Sequence, residues 1–108
     1  MSRRLEQVNE LILKELNTII LKELETPGVL LTLTRVMVSK DLGYADVYFA
    51  TIPDEASPSA KQKLDKNRGV FQKILNKRLR MRPLPMIRFR VDEEEREAAK
   101  LDEVLSNL

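Results

Sequence analysis

Residues 31–51 read LTLTRVMVSKDLGYADVYFAT. Leu31, Leu33, Arg35 and Met37 alternate with Thr32, Thr34, Val36 and Val38, and the β-branched content with a period of two predicts a strand from Leu31 to Ser39. Arg35 falls among the apolar alternates, so the pattern alone leaves open which face is buried. Lys40-Asp41-Leu42-Gly43 reads as a turn, and Tyr44 to Thr51 as a second strand with Ala45, Val47 and Phe49 on one face. The two strands make an antiparallel hairpin.

Upstream, Leu5, Val8, Ile12, Leu16, Ile19 and Ile20 recur at spacings of three and four, with Glu6, Glu10, Lys14 and Lys22 between them. That pattern predicts an amphipathic helix of about five turns, with Ser2 as its N-cap. Thr26-Pro27-Gly28 ends it. Downstream, Ser57-Pro58 offers a capping hydroxyl followed by a first-turn proline. A helix is expected from about Ser59 to Asn67, and another from Gly69 or Val70 to about Arg80, where Pro83 and Pro85 forbid continuation.

Ile87, Phe89 and Val91 alternate with Met86, Arg88 and Arg90 in a third strand. Asp92 and Glu95 have the spacing of a capping pair for a last, acidic helix with a thin apolar stripe of Ala98, Leu101, Val104, Leu105 and Leu108. The order is helix, strand, strand, helix, helix, strand and a short acidic helix. An α+β domain results, one three-stranded sheet with helices packed on one face.

A chain of 108 residues makes one domain, 1–108, able to bury about two thirds of its unfolded surface. With no Cys and no His, thiolate nucleophiles, disulfides, thiolate metal sites and the commonest general base are excluded. No apolar run approaches the ~20 residues of a membrane span, and the first residues show no secretory pattern. A cytoplasmic, monomeric protein with no cofactor, no metal and no membrane partner is expected, and whatever catalysis remains would have to use Asp, Glu, Lys, Ser, Thr or Tyr.

Charge is strongly polarised. Between Lys61 and Arg90 lie eleven basic residues against one acid, Asp65, whereas residues 1–59 carry six basic and nine acidic side chains and residues 92–108 two and seven. Such a run is suited to a polyanion, because Lys and Arg displace the counterions condensed on phosphates. On ideal helical geometry Lys73, Lys77 and Arg80 fall within about 60° of each other, opposite Val70, Phe71, Ile74, Leu75 and Leu79. Arg78 is out of place, projecting into the apolar arc.

At Asn67-Arg68-Gly69 the glycine permits the left-handed conformation that ends one helix and aims the next, whose free N–H groups suit a phosphate. Lys66, Arg68 and Lys73 flank that junction. A second cluster, Arg80, Arg82, Arg88 and Arg90, surrounds the Pro83–Pro85 turn, and the arginine fork donates two hydrogen bonds to a phosphate at once. Asp41 and Asp46 flank the hairpin turn, where an Asp ordinarily bonds its own backbone. Few aromatics are left for base stacking, since Phe49, Phe71 and Phe89 read as core, which favours recognition of RNA backbone and shape.

The alternative readings are a module whose basic face docks on an acidic partner protein, and a metal-dependent nuclease, for which the carboxylate inventory is thin.

In this order the chain resembles the ribosome-binding factor A family from Arg4 to about Leu105. The resemblance rests on Leu31 to Leu42 (LTLTRVMVSKDL), Ala45-Asp46-Val47-Tyr48, Arg80-Met81-Arg82, Pro85, Ile87-Arg88-Phe89 and Asp92. It implies a type II KH-like fold in which an Ala-x-Gly kink between two helices replaces the usual glycine loop. The matching triplet here is Asn67-Arg68-Gly69, with Asn at the Ala position, and the long C-terminal extension of some members is not expected. The resemblance further implies a non-enzymatic factor that binds the free small (30S) ribosomal subunit and its 16S rRNA. Late maturation, processing of the 16S rRNA 5′ end and growth in the cold are the family's roles, with neighbouring ribosomal proteins as further partners. The RNA-binding residues expected are Lys66, Asn67, Arg68, Gly69, Lys73, Lys77, Arg80, Arg82, Arg88 and Arg90.

Overall fold

The apolar spacing of the first twenty residues and the alternation of the next thirty are both realised in the computed structural model, which describes residues 3–81 and 84–106. The elements are α1 (Arg3–Glu23), β1 (Leu30–Val38), β2 (Tyr44–Ile52), a single 3-10 turn (Asp54–Ala56), α2 (Ser57–Arg78), β3 (Met86–Val91) and α3 (Glu93–Ser106). Ser2 and Leu108 lie outside the described residues, as do Arg82 and Pro83.

The sheet order is β1-β2-β3, with β1 antiparallel to β2 and β3 parallel to it. Parallel pairing requires the long crossover that α2 supplies. Ile12, Leu16, Ile19 and Ile20 of α1 and Leu64, Phe71 and Leu75 of α2 are buried against Leu33, Val36, Ala45, Val47, Phe49, Ile87 and Phe89 of the sheet. Phe71 meets Phe89 edge to face, centroids 6.1 Å apart. The α+β class, the three-stranded sheet and the helices on one face are therefore as the sequence predicts.

The ambiguity of Arg35 has a structural resolution. Pairing shifts between Leu33 and Arg35, leaving Thr34 as the extra residue of a β-bulge. Parity switches there: Leu33 faces Phe49 on the inner side before the bulge, and Val36 faces Val47 on the same side after it. Arg35, opposite Tyr48, is sent to the outer side.

Two local expectations are corrected. The helical run Ser57–Arg78 is continuous through Asn67, Arg68 and Gly69, and Gly28 is the only described glycine with positive φ. The change of helical type lies at the junction of the Asp54–Ala56 turn with α2 instead. Ser57 is not the N-cap either. Ala56 is, with no side-chain cap, and the buried Ser57 hydroxyl shares a 2.8 Å hydrogen bond with Thr51 Oγ1. A hydroxyl enclosed beside another polar group is more favourably spent on it than on a helix end exposed to water.

At the hairpin, Asp41 accepts hydrogen bonds from the Ser39 hydroxyl (2.7 Å) and the Gly43 N–H (3.0 Å), which hold its pKa below the ordinary value. Leu42, not the glycine, takes the left-handed conformation (φ 60°), and its side chain packs against the core.

Asp92 caps α3, accepting from the Glu95 N–H at 3.2 Å and from the Thr34 hydroxyl, with Arg35 Nε at 3.7 Å. Burial pushes its pKa up, but the Thr34 hydroxyl, the Glu95 and Glu94 N–H groups and the Arg35 charge outweigh that and leave it lowered. A lowered folded-state pKa contributes stability that is complete above the unfolded value and is lost as pH falls through the folded one. Asp92→Ala is expected to cost about 0.5–2 kcal/mol at neutral pH. Urea midpoints of wild type and variant should converge as pH falls below about 4; a constant gap would show that the carboxylate's charge is not involved.

Candidate nucleic-acid interface

On α2, side chains 100° apart per residue divide into three sectors. Leu64, Phe71 and Leu75 point to the core. Lys66, Lys73 and Lys77 fall within about 40° of one another on the opposite side and are all exposed. Lys61, Asp65, Arg68 and Gln72 point towards β3. Between α2 and β3 lies an open cleft of about 580 Å³ lined by Lys61, Asp65, Arg68, Arg88, Phe89 and Arg90.

The cleft runs along the free edge of β3. Gln72 closes one end of that edge, its Oε1 accepting from the Ile87 N–H (2.8 Å) and its Nε2 donating to the Pro85 carbonyl (3.1 Å). A side-chain amide thus takes the place of a neighbouring strand and blunts part of the edge.

The expected site residues therefore form two adjoining surfaces. Lys66, Lys73 and Lys77 make a solvent-facing ridge, with exposed Arg80 just beyond the helix end. Arg68, Arg88 and Arg90 line the cleft. Asn67 is half-buried and donates to the Lys63 carbonyl, one turn back, at 2.8 Å, so its amide serves its own helix. Gly69 is helical and exposed, and a Cβ there would meet nothing within 4 Å. Gly69→Ala should therefore raise stability by about 0.5–1 kcal/mol. A loss in urea denaturation would restore the left-handed junction. Arg82 lies outside the described residues.

Among the described residues, Lys66, Arg68, Lys73, Lys77 and Arg80 have no carboxylate within ion-pair distance. Four other cations between 61 and 90 are committed to carboxylates, and Lys63 donates to the Glu25 carbonyl at 3.2 Å. Lys61 pairs with Asp65, and Arg78 reaches Glu15 of α1 at 3.2 Å, which accounts for its place in the apolar arc: it staples the two helices. Asp46 takes Arg88 at 2.9 Å and Arg90 at 3.3 Å. Local sequence assigns Asp46 to the turn. Its alternation with Ala45 and Val47 already places it on the outer face, but the parallel register that sets it opposite Arg88 is not written in the local sequence. Among the described residues, no three carboxylates gather to hold a metal ion. No described helix is long and apolar enough to cross a membrane.

The family model for ribosome-binding factor A matches residues 4–105. The chain belongs to the ribosome-binding factor A family. A ribosome-binding factor A from Akkermansia muciniphila is 31% identical over 108 residues, covering 100% of this chain and 86% of the relative. One from Vesicomyosocius okutanii is 32% identical, covering 99% and 94%. Among solved structures, the crystal structure of ribosome-binding factor A from Thermus thermophilus superposes with a TM-score of 0.70 at 28% identity, over 81% of this chain and 94% of that one. A homology model of the Thermus thermophilus factor, fitted into a cryo-EM map of a complex of 30S with that factor, gives 0.60 at 27% identity, over 84% and 93%.

Proposed function

We propose that this member of the ribosome-binding factor A family binds the free 30S subunit through its 16S rRNA and assists late maturation, including processing of the 16S rRNA 5′ end, without itself being an enzyme. The observation that carries the reading is the set of five exposed cations, Lys66, Arg68, Lys73, Lys77 and Arg80, left without carboxylate partners among the described residues of a chain with a net charge of only +2. A surface kept cationic in a chain that carries 17 acids is suited to phosphates. Membership of the family, and the 30S complex named for the Thermus thermophilus relative, make the small subunit the natural source of those phosphates.

The ridge of α2 grips the RNA backbone, and Arg68 draws a strand into the cleft beside β3. Neighbouring ribosomal proteins can share the contact, and the chain acts as a monomer in the cytoplasm. Sucrose-gradient co-sedimentation tests the assignment. The protein is expected to travel with isolated small subunits and not with whole ribosomes, and accumulation of 5′-extended 16S rRNA in cells lacking it would support the maturation role. Equal binding to both particles would overturn an assembly role. Binding to subunits that persists under an excess of free rRNA would point to an acidic protein as the partner.

A further inference from the structure

The sheet face turned away from α1 and α2 carries an ordered set of flat side chains. Register sets Arg35 beside Tyr48, Tyr48 beside Arg90, and Tyr44 and Asp46 beside Met86 and Arg88. The Arg35 guanidinium lies 4.2 Å from the centroid of the Tyr48 ring, and that of Arg88 lies 4.3 Å from the Tyr44 ring. Asp46 fixes the remaining orientation by bridging Arg88 and Arg90. The arginine side chains are nevertheless well exposed, at 42% for Arg35, 40% for Arg88 and 54% for Arg90. Arg35 Nε is buried and finds no hydrogen-bond acceptor, so stacking and the charge of Asp92 hold this guanidinium in place.

Charge does not explain the arrangement. Three arginines face Asp46 and Asp92, which leaves this surface with about one net positive charge, far less than the α2 ridge carries. What it offers is planar area, and unpaired nucleobases stack on tyrosine rings and on guanidinium planes. The face is also continuous with the cleft, because Arg88 and Arg90 line the cleft wall around the edge of β3.

We infer that the outer face of the sheet is a stacking platform for unpaired RNA bases, built from the Arg35–Tyr48 and Arg88–Tyr44 pairs. A strand whose phosphates are held in the cleft by Arg68 crosses the edge of β3 and lays bases on the two pairs. This rests on the RNA-binding reading and narrows it to single-stranded segments. It also revises the expectation that too few aromatics remain for stacking: two tyrosines suffice when each is paired with a guanidinium.

Tyr44 and Tyr48 are the chain's only tyrosines, and it has no tryptophan, so its intrinsic emission reports on this face alone. The probes are an eight-nucleotide oligoadenylate and an abasic ribose-phosphate oligomer of the same length and charge, titrated at low salt. Oligoadenylate is expected to quench tyrosine emission and the abasic oligomer to leave it unchanged. Arg35→Lys, which keeps the charge and removes the plane, should weaken oligoadenylate roughly five- to hundredfold while leaving the abasic oligomer unaffected. Tyr48→Phe should bind as wild type does. Should Arg35→Lys disturb the edge strand, Tyr44→Ala, at a residue 48% exposed, gives the same readout. Equal binding of the two oligomers, with Arg35→Lys silent, would overturn the platform and leave phosphate recognition standing. Failure of both oligomers to bind would overturn it together with the RNA-binding reading.

Discussion

Lys66→Ala, Lys73→Ala and Lys77→Ala combined are expected to lower the slope of log affinity against log salt for rRNA by about two to three, because each phosphate contact contributes roughly 0.7–0.9. The three ammonium groups project from one side of α2 and have no ion-pair partners among the described residues. Removing them therefore leaves no orphaned carboxylate and should change stability by no more than about 0.5 kcal/mol. Loss of binding would consequently be electrostatic, largest at low salt and shrinking as salt screens both proteins alike. Lys22→Ala, at an exposed position of α1 outside this ridge, is the matched control and should leave the slope unchanged. An unchanged slope in the triple variant would remove the ridge from the interface and leave the cleft as the sole contact.

The sequence reveals most where chemistry is local. Spacings of three and four in Leu5–Ile20, and the alternation of Ala45, Val47 and Phe49, place α1 and β2 correctly because each residue's environment depends on its own element. Asp92 likewise caps α3 as its spacing to Glu95 predicts. Legibility fails where the deciding partner is distant in the chain. The bulge at Thr34 changes which side Arg35 faces, and nothing within β1 announces it; the cause is the combined demand of Leu33 and Val36 for the same core.

Gly69 permits a left-handed junction, but permission is not requirement, and the helical bonds on both sides hold the run straight through. Arg78 makes no sense on its own helix and does once Glu15 of α1 is seen beside it. The same blindness affects the charge count. Asp65 is the only acid inside 61–90, yet Asp46, well before that window, neutralises part of its strand arginines. Lysines and arginines therefore separate into committed and uncommitted sets only in three dimensions.

Phe71→Ala is expected to cost about 3–5 kcal/mol, a large part of the ~5–15 kcal/mol that stabilises a domain of this size. The ring is 1% exposed and stands edge-on to Phe89 at 6.1 Å, the principal aromatic contact joining α2 to β3. Truncation leaves a cavity between rigid neighbours, since Phe89 belongs to a paired strand and Leu75 to the next helical turn. Urea unfolding should show a midpoint shift at nearly constant slope, whereas Val70→Ala, one position away but half exposed, should shift it by only about 0.5 kcal/mol. The functional consequence separates the two surfaces of α2. Lys66, Lys73 and Lys77 lie on the far side of the helix from Phe71 and keep their spacing as long as α2 is folded, so the salt slope they contribute should survive. The cleft depends on the distance between α2 and β3 that Phe71 and Phe89 set, with Phe89 itself in the cleft wall. Phe71→Ala, assayed below its own unfolding transition, is therefore expected to weaken RNA that enters the cleft while sparing the part of binding that comes from the ridge.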